Sequence, residues 1–190
     1  MKSHFITETT SYNGDALKNH WIYRNIGILG DAVVAFTGPC EVDQSRMVDL
    51  EDVLNDDYIY SRQMLHFIVE IFGIPLQEGV LLQRLFTSAI QDRINGLKPQ
   101  ALIKRRGDDL FYEETAKLSV SICTVSPTSI LIHTGINIDS QGAPVEAAGL
   151  TSDLGMSEKE IKPFALACMR TLTEEWADIR LSCCKVRAVG

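Results

Sequence analysis

Apolar and polar positions along this chain follow two periodicities, about 3.6 and 2, separated by stretches with neither. Residues 5–10 read as an opening strand, followed by the turn signal Asn13-Gly14-Asp15. Residues 28–36 are apolar and β-rich but interrupted by Gly30-Asp31, which predicts a strand over 32–37 ended by Gly38-Pro39. The acidic stretch 41–57 predicts loop with one helical turn. Two helices are expected next. Residues 60–72 set Met64, Leu65, Phe67, Ile68, Ile71 and Phe72 around most of a helical circumference, with Gly73 and Pro75 as the stop. Residues 77–94 repeat Leu81, Leu82, Leu85, Phe86, Ala89, Ile90 and Ile94 at helical spacing, and Gly96 is the expected C-cap.

Strands return at 101–104 and in a hairpin over 117–123 and 130–138. Alternation places Lys117, Ser119, Ser121 and Cys123 on one face of its first strand, and His133, Gly135 and Asn137 on one face of its second. A three-residue connection over 126–128 sets Lys117 opposite Asn137. A two-residue connection pairs Ser121 with Thr134 and sends Asn137 to the other side. Residues 142–155 form a small-residue loop. A C-terminal helix is expected from about 157 to 182, with a capping box at Ser157 and Glu160. Pro163 argues for one short turn first and a main helix that starts with the proline. The expectation is one α/β domain of the α+β kind over 1–190, with a mixed or antiparallel sheet flanked by helices.

A net charge of -7 argues against binding nucleic acid in bulk, which needs a basic field. Lys104-Arg105-Arg106 is either a local basic patch or a solvated strand end. No apolar run approaches the roughly 20 residues a bilayer span requires, and the first residues show no signal-peptide core. Five cysteines without paired spacing fit reduced thiols, so a cytoplasmic location is expected. No P-loop, dinucleotide-binding, zincin or serine-hydrolase motif occurs.

The chemistry concentrates between Arg105 and Asn137. A lysine that opens a buried strand loses hydration unless an anion compensates, and Lys117 stands there. A glycine and an asparagine at the end of an apolar strand suggest close approach of backbone or ligand, here at Gly135 and Asn137. Together they point to a small anionic ligand over a sheet. The order Asp108-Asp109-Leu110, Lys117-Leu118 through Ile122, then Thr134-Gly135-Ile136-Asn137-Ile138 resembles the catalytic domain of biotin–protein ligases, lipoate–protein ligases and octanoyl transferases. The resemblance implies that Lys117 binds the carboxyl or phosphate of an acyl group or acyl-adenylate. It also implies that Asp109 helps organise nucleotide or magnesium, with ATP and magnesium as cofactors, and that an acyl-carrier or lipoyl-type protein is a partner, with a homodimer also expected.

The match departs from that family in its loops. The Gly/Arg-rich loop that wraps the adenylate corresponds to Thr37-Gly38-Pro39-Cys40-Glu41-Val42, with one glycine, no arginine and an acid, which weakens ATP-dependent activation. The octanoyl transferases place a thiol after the Gly-Ile-Asn segment, where this chain has Gly142-Ala143-Pro144-Val145. Cys40 is then a relocated thiol or a small buried cysteine. The chain as a whole also resembles an uncharacterised, mostly archaeal family of unknown function, through H-W-I-Y-R-N-I-G-I-L-G-D and M-V-D-L-E-D.

Other groups carry alternatives. Arg24, behind His20-Trp21, either grips a ligand carboxylate or belongs to an amphipathic strand with buried aromatics. His66 and Glu70 form a metal pair or an ordinary ion pair. Asp49, Glu51 and Asp52 hold magnesium or make a solvated acidic loop. The functional expectation is a small acyl or carboxylate ligand held by Lys117, with Asp109, Ser119, His133, Gly135, Asn137 and Arg24 around it and Cys40 as the catalytic thiol, serving acyl or adenylyl transfer. The alternatives are a non-catalytic ligand-binding or oligomer-forming module, and a metal-dependent enzyme using the acidic cluster.

Overall fold

In chain order the elements are β1 (Lys2–Phe5), α1 (Trp21–Ile26), β2 (Ala32–Val42), α2 (Leu50–Leu54), β3 (Ile59–Phe72), α3 (Leu76–Leu97), β4 (Ile103–Arg106), β5 (Asp109–Tyr112), β6 (Ala116–Lys117), β7 (Ser119–Val125), β8 (Ser129–Asp139) and α4 (Glu158–Cys184). They come from a computed structural model that describes residues 1–56 and 58–189, so residue 57 of the acidic stretch lies outside the described residues.

Burial on both faces of the central strands sets the architecture. β2 sends Val33 and Ala35 to one side and Ala32, Val34 and Phe36 to the other, and all five are buried. β3 splits Leu65, Phe67, Val69 and Ile71 from Met64 and Ile68 in the same way. The main sheet runs β1-β2-β3-β8-β7, with β1 parallel to β2 and the other neighbours antiparallel. α3 and α4 cover one face with Phe86, Ile90, Phe164 and Leu172. Tyr12, Ala16 and Ile22 of the N-terminal segment cover part of the other. Asp31 ties α4 to the end of the sheet by accepting from the Phe72 N–H at 3.0 Å and the Trp176 indole N–H at 3.1 Å. A mixed sheet flanked by helices is the expected α+β class.

Several elements differ from their sequence patterns. Residues 60–72 are strand, not helix. A strand buried on both faces loses its polar alternation and reads as a continuous apolar run, which periodicity does not separate from a buried helix. Residues 21–26 are helix rather than strand, and β1 starts three residues before the expected opening strand. β2 continues through Gly38-Pro39 to Val42, because a register shift between Gly38 and Cys40 bulges Pro39 out of the ladder. α3 runs past Gly96, and the backbone N–H of Lys98 closes it onto Ile94. α4 is continuous from Glu158, with both bonds of the Ser157–Glu160 capping box made and Pro163 inside. Lys159, whose carbonyl Pro163 leaves without an amide donor, is exposed and so open to solvent.

β3 also carries polar groups into the sheet. His66 Nδ1 lies 3.1 Å from His133 Nε2 on β8, and His66 Nε2 lies 3.3 Å from the Gly38 carbonyl. Tyr12 stacks on His133 at 3.8 Å between ring centroids and on His66 at 5.1 Å. Burial pushes the His66 pKa down to about 3, with a small opposing effect from its bond to Gly38. Burial, reinforced by His66, also lowers His133. Glu70 belongs to no histidine pair. Its carboxylate accepts from the His20 N–H at 2.7 Å and the Ser129 hydroxyl at 2.8 Å.

Two predictions follow from this packing. Both histidines are neutral in the fold and protonate more readily when unfolded, so the unfolded chain binds more protons below about pH 6.5. Through His66, stability therefore rises with pH from near 3 to 6.5 and is lost on acidification, by about 1.4 kcal/mol per unit, and His133 acts in the same direction. Melting temperatures from pH 4 to 7 should climb less steeply in His66→Gln than in the parent protein, and equal slopes exclude the histidines as the cause. In α3, a Cβ at Gly79 lies 2.5 Å from Ile130 Cγ2 and 3.0 Å from Cys123 Sγ, whereas Gly96 faces open space. Gly79→Ala should cost about 1–3 kcal/mol and Gly96→Ala should stabilise by up to about 1 kcal/mol. Urea unfolding that gives both variants the same sign contradicts this packing of α3.

Candidate functional site

The site forms where the chain changes sheets. β6 pairs with β5 in a small sheet ordered β4-β5-β6, while β7 belongs to the main sheet. Leu118 lies between them and is wholly buried. Its N–H donates to the Leu110 carbonyl of the small sheet at 2.8 Å, and its carbonyl accepts from the Asn137 N–H of the main sheet at 2.9 Å. Lys117 is fixed on both sides as well. Its N–H donates to the Glu146 carbonyl, and its own carbonyl accepts from Ala148 N–H and from the Asn137 side-chain amide at 3.2 Å.

The hairpin takes its two-residue register, pairing Ser121 with Thr134. On flat alternation that register separates Lys117 from Asn137. The sheet change at Leu118 interrupts the alternation instead, and Lys117 and Asn137 border one cavity of about 260 Å³ on the face opposite α3 and α4. Met64, Val120, Ile122, Tyr60 and Val145 give it apolar walls, and Tyr12 and His133 border it too. Lys117 Nζ meets Asp109 at 3.0 Å, with side chains about one third and one quarter exposed. Burial raises the Asp109 pKa; Lys117 opposes this without cancelling it. Asp108, also on the wall, faces Arg84 at 3.5 Å.

The predicted residues divide. Lys117, Asp109, His133 and Asn137 line the cavity. Gly135 lies on the same strand face under Met64, whose sulfur occupies the space a Cβ would need. Ser119 does not line it. It is turned to the helix side of the sheet, buried, where its hydroxyl accepts from the Leu110 N–H at 2.9 Å. Arg24 is exposed on α1, away from the cavity wall. Cys40 is buried within β2, and burial pushes its thiol up to about 12, so it stays protonated and a poor nucleophile. Tyr12, Tyr60 and Met64 were not foreseen. Nothing beside Tyr12 in the sequence distinguishes it from a core tyrosine, and a helical reading of 60–72 hid the shared face of Tyr60 and Met64.

The connection after β2 is residues 43–58, not 37–42, which are strand. It holds no glycine and is rich in acids. Its Arg46 is held by Asp15 at 2.7 Å. A loop that must wrap a triphosphate needs open backbone amides and free cations, so these residues do not fit ATP. Asp49 and Asp52 border the cavity, and Asp49 caps α2 by accepting from the Glu51 N–H. Among the described residues no three His, Cys, Asp or Glu side chains stand together closely enough to hold a metal ion, and His66 with Glu70 is not a metal pair. No described helix is long and apolar enough to cross a membrane.

Comparison with known proteins agrees with this architecture. The chain is 32% identical over 184 residues to an uncharacterised protein of Methanocaldococcus jannaschii, covering 93% of this chain and 81% of that one. A protein of unknown function from Pyrococcus horikoshi is 36% identical, with a TM-score of 0.90 over 99% of this chain and all of the other. The biotin protein ligase of Aquifex aeolicus superposes with a TM-score of 0.59 at 12% identity, over 94% of this chain and 72% of the ligase. A T. acidophilum protein described as a lipoate protein ligase, with lipoic acid bound, gives 0.57 at 14% identity over 92% and 87%. At such identities the last two show the fold, which is that of the biotin and lipoate ligase catalytic domains. A family model matches residues 1–187, and the chain belongs to that family, described as a domain of unknown function, DUF366.

Proposed function

We propose that the cavity binds a small acyl or carboxylate ligand, with its anionic or carbonyl end at Lys117. The observation that carries this is a lysine on the wall of a largely apolar cavity, paired among the described residues with an acid that burial makes reluctant to ionise. An incoming carboxylate competes with Asp109 for one ammonium, and protonation of Asp109 releases the cation to the ligand. Known ligases of this fold supply the chemical analogy: relatives by structure carry the names biotin and lipoate protein ligase. If the bound acyl group is transferred, the Lys117 ammonium stabilises the negative charge that develops on its carbonyl oxygen. No cysteine borders the cavity among the described residues, so the acyl group passes directly between an already activated donor, such as an acyl-carrier thioester, and an acceptor amine. A lipoyl-type acceptor domain fits this step.

A second reading, a binding or oligomer-forming module without catalysis, is favoured by the glycine-free acidic connection after β2, which does not fit the nucleotide needed for activation. Turnover of an acyl thioester separates the two, because only the first reading allows it.

Thermal shift with octanoate, lipoate and biotin tests the shared claim. A ligand at 100 times its Kd stabilises by about 2.7 kcal/mol. Lys117→Ala should weaken acid binding by roughly 10- to 100-fold, the worth of a charged hydrogen bond, while circular dichroism stays unchanged. Undiminished binding in that variant sinks the assignment. The Asp109 competition has its own signature. Acid binding should tighten as pH falls toward the raised Asp109 value and take up a proton, seen as buffer-dependent heat in calorimetry. Asp109→Asn should bind acids more tightly at neutral pH and lose that dependence; a parent protein with pH-independent affinity contradicts the exchange.

A further inference from the structure

The inner end of the cavity carries a polar arrangement that the ammonium site does not use. A backbone carbonyl only accepts, so the His66 Nε2 that faces the Gly38 oxygen carries the ring proton. His66 Nδ1 is then an acceptor, and the 3.1 Å contact requires the proton on His133 Nε2. Both rings are neutral, since burial lowers both. The tautomer of His133 is thereby fixed from Gly38 outward, and its Nδ1 is left with a bare lone pair in the ring plane.

Among the described residues no side chain or backbone group donates to that lone pair. The Tyr12 ring lies over His133 with only 15° between planes, so it sits above the imidazole and off the in-plane direction. Among the described residues the buried side-chain nitrogens and oxygens without a partner are Arg84 Nε and Thr151 Oγ1. His133 Nδ1 is not among them, and His133, although only 3% exposed, borders the cavity. Both His133 and Tyr12 border the cavity. Along β8, His133 and Asn137 are four residues apart on one face, roughly 13 Å, and Asn137 bonds to the Lys117 carbonyl. Gly135 between them leaves the floor to Met64.

We infer that His133 Nδ1 is the acceptor for an N–H or O–H donor at the far end of the ligand. Resting on the reading of Lys117 as the acid site, this makes the ligand a carboxylic acid with a polar, donor-bearing distal end. A plain hydrocarbon tail leaves a desolvated acceptor without a partner, and that disfavours simple fatty acids. His66 acts as a positioning residue that holds the tautomer.

The test compares octanoate, 8-hydroxyoctanoate and 8-methoxyoctanoate by calorimetry, with nitrogen-15 spectra of the histidine-labelled protein. The hydroxy acid should bind about 5- to 10-fold more tightly than the methoxy acid, the worth of roughly one neutral hydrogen bond. It should also shift the unprotonated His133 Nδ1 resonance, which the methoxy acid leaves in place. Equal affinities with an unmoved resonance overturn the inference and leave the acid site standing. A spectrum of the free protein with the proton on His133 Nδ1 overturns it whatever binds. If none of the three acids binds, the acid-site reading fails and this inference fails with it.

Discussion

At Leu118 one residue serves two sheets. Its N–H completes the small sheet through Leu110, and its carbonyl completes the main sheet through Asn137. A buried backbone group without a partner is costly, so neither sheet can slide without breaking the other. The chain must therefore kink there, and the kink brings Lys117 out of the flat alternation of β7 to the same cavity as Asn137. The Lys117–Asp109 pair, the position of Asp109 on β5 and the cavity mouth all inherit their geometry from that junction.

The main sheet bears the cost of being sandwiched. β2 and β3 are covered on both faces, which leaves no exposed side on which polar residues can be solvated. His66, His133, Glu70 and Ser129 are nevertheless buried there, each with a hydrogen-bond partner. Buried polar groups persist when their bonds are made. At His133 the chain of bonds ends one donor short, on a ring that borders the cavity.

The two ends of the cavity differ in kind. At Lys117 a cation is paired with Asp109, an acid whose ionisation burial opposes. At His133 a neutral acceptor is held by tautomer and geometry. Common to both is an apolar wall of Val120, Ile122 and Met64, and polar contacts strengthen in a less polar surrounding. In this chain the connection after β2 is acidic and glycine-free, whereas triphosphate binding needs open amides and free cations.

Local patterns carried much of the fold. The amphipathic stripe of 77–94, the capping box at Ser157 and Glu160, and the two-strand pattern around Gly135 are all visible in sequence, because caps and periodicity act over a few residues. The two-faced burial of β3 was not, since a run of apolar residues looks the same in a buried strand and a buried helix. For the candidate site, Lys117, Asp109, His133 and Asn137 are marked by residue type against an apolar background, and they share the cavity wall. Ser119, Cys40 and Arg24 have equally suggestive side chains, yet strand facing and burial direct them elsewhere. Sequence by itself determined which chemical groups this protein holds and roughly which elements carry them. Only the tertiary structure decided which of them meet, because the kink at Leu118, the stacking of Tyr12 on His133 and the cover over β3 arise from contacts between segments distant in the chain.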